Sequence, residues 1–375
     1  MTLSAVDPQL AAIAASFAGA EAVASVRPLG NGNINATYLV RGEGGEPFVL
    51  QRLNGKVFPQ PERVMGNLLA IGEHVERRLG RGEPDGARRR WVVPNVRPTV
   101  SGQPWLEAQG ALWRAISYVP DTVSREALHT PAQAREVGYG LGRFHELLHD
   151  LPCERLADTL PGFHITPGYL ARYEAICAAA PRRSGAEAER EAWAHRFIAE
   201  RQGWAAVLER AKAAGELPER PIHGDPKVNN VLLDARSGEA VALVDLDTVK
   251  PGLVHYDIGD ALRSGCNPLG EETLEIEAVR FDLALCEALL EGYGAMARRF
   301  LTAADHRHLY DAIRLISFEL GLRFFSDHLA GDVYFHTQRA GQNLDRALVQ
   351  FQLTASIEAQ EREIRALLAR LEAER

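Results

Sequence analysis

The sequence is poor in the features that mark several protein classes. It has only four cysteines, Cys153, Cys177, Cys266 and Cys286, widely spaced and with no C-x-x-C pair. That argues against a disulfide scaffold or thiolate zinc site and fits small buried thiols in a reducing compartment. No apolar run approaches the roughly 20 residues a membrane helix needs. The alanine-rich start lacks a basic n-region, and Asp7-Pro8 reads as a helix cap followed by Leu10, Ile13 and Phe17 at helical spacing. Positive charge is not in excess, with 42 Lys and Arg against 50 Asp and Glu for a formal −8, which argues against a nucleic-acid partner. The one basic stretch (Arg77, Arg78, Arg81, Arg88, Arg89 and Arg90) is interleaved with Gly80, Gly82, Pro84 and Gly86, as expected of a solvated loop. There is no internal repeat and no low-complexity tract. A cytoplasmic protein is expected, without membrane partners.

What is present is ordinary globular composition, 46% hydrophobic and 25% charged, over 375 residues, enough for two lobes. The first third reads as strands at residues 23–28, 36–41 and 47–53, separated by glycine-rich turns. Val64, Leu68, Ile71, Val75 and Leu79 predict a helix over 62–79, a hairpin is expected around Ser101-Gly102, and a strand runs from Ala111 to Tyr118. Beyond Pro120-Asp121 the pattern turns helical, at 132–148, 187–214, 273–293, 306–328 and 343–372. Its one interruption is a β-hairpin, 231–233 with 240–244. The expected division is 1–118 and 119–375.

The chemistry concentrates in the run from Pro221 to Asn230 and in Val244-Asp245-Leu246-Asp247. Phosphoryl transfer needs a carboxylate for the attacking hydroxyl, oxygen ligands for Mg²⁺ and cations to offset developing charge. The spacing H-x-D-x-x-x-x-N supplies Asp225 as base and Asn230 as metal-ligating amide from one loop. Asp245, at the end of the returning strand, supplies the metal carboxylate, and Lys227 is placed to reach the γ-phosphate. The bland alternative, in which Asp225 and Asn230 only make turn bonds and Asp245 caps a loop, leaves the clustering unexplained.

These segments, with His255 to Asp260, resemble the catalytic and metal-binding loops of the aminoglycoside phosphotransferase and choline kinase superfamily. Over nearly the whole chain the sequence is similar to N-acetylhexosamine 1-kinases, at residues 32–38, 48–54, 321–325 and 331–335. The resemblance implies an α+β, protein-kinase-like two-lobed fold, with a small antiparallel β N-lobe and a larger, mainly helical C-lobe. It implies ATP and Mg²⁺ as cofactors and a sugar as acceptor, phosphorylated at the anomeric hydroxyl. Arg323 and Tyr334 would contact the hexosamine, although Arg323 could instead pair with Glu319 and Tyr334 simply pack. Asp257 would anchor its loop. A monomer is expected. Another superfamily kinase acting on an amino alcohol or aminoglycoside is the alternative, and a nucleotide-binding scaffold without turnover is a third.

In the sheet lobe, Gly30, Gly32 and Asn33 lie where backbone amides would cover the ATP phosphates, with Asn35 at the third position of an imperfect G-x-G-x-x-G. A strand follows it rather than a helix, which disfavours a dinucleotide fold, and no G-K-[ST] is present. The third strand should carry the cation for the α/β-phosphates. Arg52 is the candidate, and a one-residue slip puts Gln51 there. Its acidic partner is Glu62 or Glu73. Backbone groups from Ser117 to Val119 would meet adenine. His145-Glu146-x-x-His149 spells the zinc-protease motif, but Leu141, Phe144 and Leu148 make the same stretch a core helix. Leu353, Ile357, Ile364, Leu367 and Leu371 read as a terminal docking stripe.

Overall fold

The computed structural model describes residues 7–18, 23–30, 34–80, 89–179 and 186–373. Chain order begins α1 (Pro8–Ala18), β1 (Val23–Pro28), β2 (Ala36–Gly42), β3 (Phe48–Arg52), α2 (Pro61–Leu79), β4 (Val96–Arg97), β5 (Leu106–Ala108) and β6 (Ala111–Ser117). These form a small lobe around an antiparallel sheet of order β1-β2-β3-β6-β4, with β5 also pairing β6. Alternation along the strands puts Val40, Phe48, Leu50, Trp113 and Ala115 on one face, where Ile13 and Phe17 of α1 cover them. Helix α2 starts with Pro61 in its first turn and buries Val64, Met65, Leu68, Ile71 and Val75.

The second lobe contains β7 (Thr122–Val123), α3 (Pro131–Leu148), α4 (Thr166–Ala179), α5 (Ala186–Arg201), α6 (Val207–Ala213), β8 (Arg220–Ile222), β9 (Val231–Asp234), β10 (Ala240–Leu243), β11 (Lys250–Gly252) and α7 (Val254–Gly265). It ends with α8 (Leu283–Ala297), α9 (Ala303–Arg307), α10 (Leu309–Ala330), α11 (Gln342–Ala359) and α12 (Glu361–Ala373). The β9–β10 hairpin extends through β7, and β8 pairs β11. One large core unites α2, α3, α7, α8, α10 and α12. Helices α3 and α8 approach closely because glycines face each other. A Cβ on Gly138 would lie 1.9 Å from the Leu289 carbonyl oxygen, and one on Gly292 2.0 Å from that of Arg135.

Several expected boundaries move. A tight turn does close around Ser101-Gly102, where the Thr99 amide donates to the Gln103 carbonyl at 2.7 Å, but the hairpin between paired strands is β5–β6, joined through Gln109-Gly110, both at positive φ (53° and 67°). The stretch 187–214 divides at a 3₁₀ turn over Gln202–Trp204. Asp282 caps α8, accepting the Leu285 amide, so that helix starts ten residues later than expected. Thr302 and Asp305 form a capping box that sets off α9. The terminal stripe breaks at Gln360. Helix α7 was not expected from periodicity. Every one of its residues except Ser264 is buried, although Val254, Ile258, Ala261 and Leu262 recur at helical spacing.

Candidate active site

Strand β8 runs into His223-Gly224-Asp225, and three partners fix that turn. Gly224 is at φ 84°, and a Cβ there would lie 2.7 Å from the Thr248 carbonyl oxygen, so glycine is required. Asp257, in the first turn of α7, accepts the amides of His223 (2.6 Å) and Gly224 (2.8 Å) and the Nε2 of His145 (2.8 Å). His223 Nε2 donates to the Val244 carbonyl at 3.0 Å, while its Nδ1 accepts the Asp225 amide at 3.2 Å. One donor and one acceptor nitrogen make a neutral imidazole, and burial, opposed by Asp257, holds its pKa below the usual range.

The side chains beyond this turn converge. Asp225 Oδ2 sits 3.0 Å from Lys227 Nζ and accepts from Asn230 Nδ2 at 3.3 Å, and the same Nδ2 donates to the Asp225 carbonyl at 2.7 Å. Burial pushes the Asp225 carboxyl up, but the Lys227 ammonium outweighs it and the net shift is downward. The Asp225 charge in turn raises Lys227. The Val244 amide donates to the Asn230 carbonyl at 2.9 Å, which brings the start of β9 beside the end of β10 and sets Asp245 next to the cluster. Asp245 has left-handed backbone (φ 66°). Its side chain is open to the cleft, yet both lobes crowd around it. That desolvation, with the like charges of Asp247 and Asp225, pushes its carboxyl up to about 7. An oxygen-only set of amide and carboxylate whose negative charges repel one another fits a hard divalent cation such as Mg²⁺.

The sheet lobe reaches this cluster through Asp247. Asn35 Nδ2 donates to Asp247 Oδ2 at 2.7 Å and Arg114 Nη2 to Oδ1 at 2.5 Å. Arg114 also grips the Gln51 amide oxygen through Nε (2.9 Å) and Nη2 (2.7 Å), and Gln51 Nε2 donates to Thr37 Oγ1 at 3.1 Å. The expectation for Arg52 is therefore corrected. It shares the strand face of Phe48 and Leu50, away from the cleft, and is exposed, whereas Gln51 and the buried cation Arg114 face the catalytic loop. Arg114 was overlooked. The signal for it is a lone arginine at an alternating position of the apolar strand A-L-W-R-A-I-S. Neither candidate glutamate partners a strand cation: Glu73 binds Arg155, and Glu62 is exposed.

Gly30, two residues beyond β1, is at φ 70°, while Gly32 and Asn33 lie outside the described residues. Around the linking strand, the Ser117 amide donates to Asn95 and the Val119 carbonyl accepts from Thr122 Oγ1, so those two groups already have partners within the protein. The zinc-protease motif makes no metal site. His145 lies between Asp257 and the Tyr293 hydroxyl (3.0 Å), and Glu146 binds Arg78 and Arg143.

Beside the catalytic loop is a cavity of about 210 Å³ whose lining includes Phe163, Tyr169, Arg323, Asp327, Tyr334 and Phe335. The Arg323 guanidinium stands 4.9 Å from the Phe163 ring centroid, 5.2 Å from Tyr169 and 5.5 Å from Phe335, and is near enough to Asp225 for the two charges to interact. Glu319, one turn earlier, is instead hydrogen-bonded by His164 (2.9 Å) and Thr166 (2.6 Å). The segment that carries Tyr334 and Phe335 is shaped by the buried Asp327. Its carboxylate accepts the amides of Val333 (3.0 Å), Tyr334 (2.9 Å) and Phe335 (2.9 Å), and the Asn343 side chain braces it at 3.0 Å.

With a strand-rich lobe over a helical lobe and a carboxylate, amide and lysine gathered on the loop after β8, the architecture is kinase-like. Residues 25–298 match the model of the phosphotransferase enzyme family, and the chain belongs to that family, as a small-molecule kinase. Solved structures extend the likeness of fold beyond the matched region. An aminoglycoside phosphotransferase from Alicyclobacillus acidocaldarius is 17% identical with a TM-score of 0.60, the match covering 100% of this chain and 97% of that one. A microcompartment-associated aminopropanol kinase is 18% identical with a TM-score of 0.60, covering 95% and 98%. An amicoumacin kinase in complex with AMP-PNP, Ca²⁺ and its substrate is 14% identical with a TM-score of 0.58, covering 92% and 93%.

Proposed function

We propose that this kinase transfers the γ-phosphoryl group of ATP to the anomeric hydroxyl of an N-acetylhexosamine, giving a sugar 1-phosphate and ADP. The observation that carries the choice of acceptor is Arg323. A guanidinium framed by three aromatic rings, within electrostatic range of Asp225, favours a neutral, oxygen-rich acceptor that stacks on rings and accepts hydrogen bonds. A cationic amino alcohol or aminoglycoside, the substrates named for the structural neighbours, would meet like charge there.

In this reading Asp225 orients the acceptor hydroxyl and takes its proton as the new P–O bond forms and the bond to the β-phosphate oxygen breaks. Its depressed pKa keeps it ionised for that role. Asn230 and Asp245 would hold Mg²⁺, whose charge would offset that of the nucleotide phosphates. Lys227 moves between Asp225 and the transferring group. Arg114 takes the place expected of Arg52 on the nucleotide side of the sheet, with Gly30 near the phosphates and the strand around Ser117 and Val119 beside adenine. Catalysis is then chiefly positioning and electrostatics.

The test is an acceptor panel with coupled ADP detection, containing GlcNAc, GalNAc, 1-amino-2-propanol and kanamycin. Turnover with the two sugars and none with the cationic acceptors is expected. Turnover with only the cationic acceptors removes the proposal.

A further inference from the structure

We propose that His164 is a positioning residue of the phosphotransfer site, a charged imidazolium clamped between Glu319 and the Gly224 carbonyl that holds the loop carrying Asp225. His164 lies on the link between α3 and α4, with left-handed backbone (φ 65°) and a buried ring. A non-glycine residue in that conformation persists only where its surroundings fix it. Its Nε2 is 2.7 Å from the Gly224 carbonyl oxygen and its Nδ1 is 2.9 Å from Glu319 Oε1.

Donor and acceptor inventory decides the charge. A carbonyl oxygen only accepts, and Glu319 accepts twice, from His164 and from the Thr166 hydroxyl. Both ring nitrogens must therefore carry hydrogen, which only the imidazolium allows. The alternative, a protonated Glu319 donating to a neutral ring, is opposed by Arg323 one turn along α10, which favours the carboxylate. His223, on the other side of the same tripeptide, has one ring nitrogen facing an amide donor and is neutral. The two histidines that flank Gly224 thus hold opposite protonation states for reasons of geometry.

The groups facing His164 are Glu319 from α10, Asp260 and the stacked Tyr256 ring from α7 (centroids 5.5 Å apart), and Phe163. Burial alone would lower its pKa, but the Glu319 carboxylate outweighs burial and the net shift is upward. A histidine raised in this way stays charged to higher pH than an ordinary one and loses its charge as pH rises through the elevated value. The peptide it holds is gripped from every side. Asp257 takes the Gly224 amide, His164 takes its carbonyl, and Thr248 occupies the space of a Cβ. Because Glu319 and Arg323 are one turn apart on α10, the same helix that lines the acceptor cavity also sets the charge of the clamp.

This inference rests on Asp225 being the hydroxyl-facing carboxylate, and its test separates the two. Full-length protein, labelled with ¹⁵N in histidine rings and backbone, is titrated from neutral to alkaline pH by NMR. Comparison with H164Q assigns the ring signals, or with E319Q should H164Q fail to fold. Both His164 nitrogens are expected to be protonated at neutral pH, with a titration above the ordinary histidine range that the Gly224 and Asp225 amide signals follow. In E319Q that midpoint falls by about 1–3 pH units. With the acceptor found by the panel, the alkaline limb of kcat moves down with it while the KM for ATP stays unchanged. A bare ring nitrogen at neutral pH, or Gly224 and Asp225 signals that ignore the titration, overturns the inference. Should the panel yield no product, the kinase reading fails, but the ring and amide signals still decide the role of His164.

Discussion

Arg114 of the sheet lobe and Asp247 of the helical lobe form an ion pair at 2.5 Å, with both side chains 2% exposed. Asn35 holds the other Asp247 oxygen and Gln51 accepts from Nε and Nη2 of the arginine, so one buried carboxylate ties the strand lobe to the turn that carries Asp245. Removing one partner of such a pair leaves an uncompensated buried charge. Arg114→Met should therefore destabilise the protein by about 3–5 kcal/mol, read as a lower urea midpoint. Arg52→Met, on the exposed face, should leave that midpoint unchanged.

Asp225→Asn should retain nucleotide binding and lose turnover by about 10²–10⁴-fold, the usual contribution of a positioned general base. Equilibrium binding of an ATP analogue checks the first part and a coupled ADP assay the second. Near-normal turnover would remove the role given to Asp225.

Metal binding should depend on pH through Asp245. Burial and the charges of Asp247 and Asp225 push its carboxyl up to about 7, and a cation binds the ionised form, so uptake of Mg²⁺ near neutral pH should release a proton. Apparent Mg²⁺ affinity for the nucleotide complex should weaken as pH falls through about 7, and Asp245→Asn should flatten that dependence. Calorimetry in two buffers of different ionisation enthalpy measures the released proton directly.

Asp327 accepts three consecutive backbone amides and thereby presents Tyr334 and Phe335 to the cavity that Arg323 also lines, the proposed acceptor site. Hydrogen bonds to a charged group contribute about 1.5–3 kcal/mol each, so Asp327→Ala should loosen this segment. The KM for the acceptor is expected to rise by about tenfold or more, on the basis that one such bond is worth that factor. The KM for ATP, bound on the other side of Asp225, should stay within about twofold.

The α3–α8 crossing gives a prediction independent of chemistry. A methyl group at Gly138 would overlap the Leu289 carbonyl, so Gly138→Ala should destabilise by at least about 2 kcal/mol through forced helix separation. Gly294→Ala, where a Cβ meets open space, is the control.

The contrast between what was and was not legible in the sequence follows from range. The β9–β10 hairpin and the H-x-D-x-x-x-x-N spacing are local, and local alternation and turn chemistry were enough to place them. Arg114 and His164 act through partners far along the chain, Asp247 for the first and Gly224 with Glu319 for the second. No short pattern encodes such contacts. The Arg52 expectation failed because strand alternation gives two faces without saying which one meets the other lobe, and the covering of Phe48 and Leu50 by α1 decides it. The zinc-protease motif is the converse case: its spacing is local, but the core stripe of Leu141, Phe144 and Leu148 marks a packing helix, and its first histidine and its glutamate are claimed by tertiary partners, Asp257 and Tyr293 for one and Arg78 and Arg143 for the other.

The measurement that bears most directly on the account is phosphorus NMR of the product formed from ATP, Mg²⁺ and an N-acetylhexosamine. The account predicts ADP together with a new phosphomonoester signal coupled to the proton on C1. A phosphate on any other carbon of the sugar, or no sugar phosphate at all while an amino alcohol or aminoglycoside is phosphorylated, would contradict it.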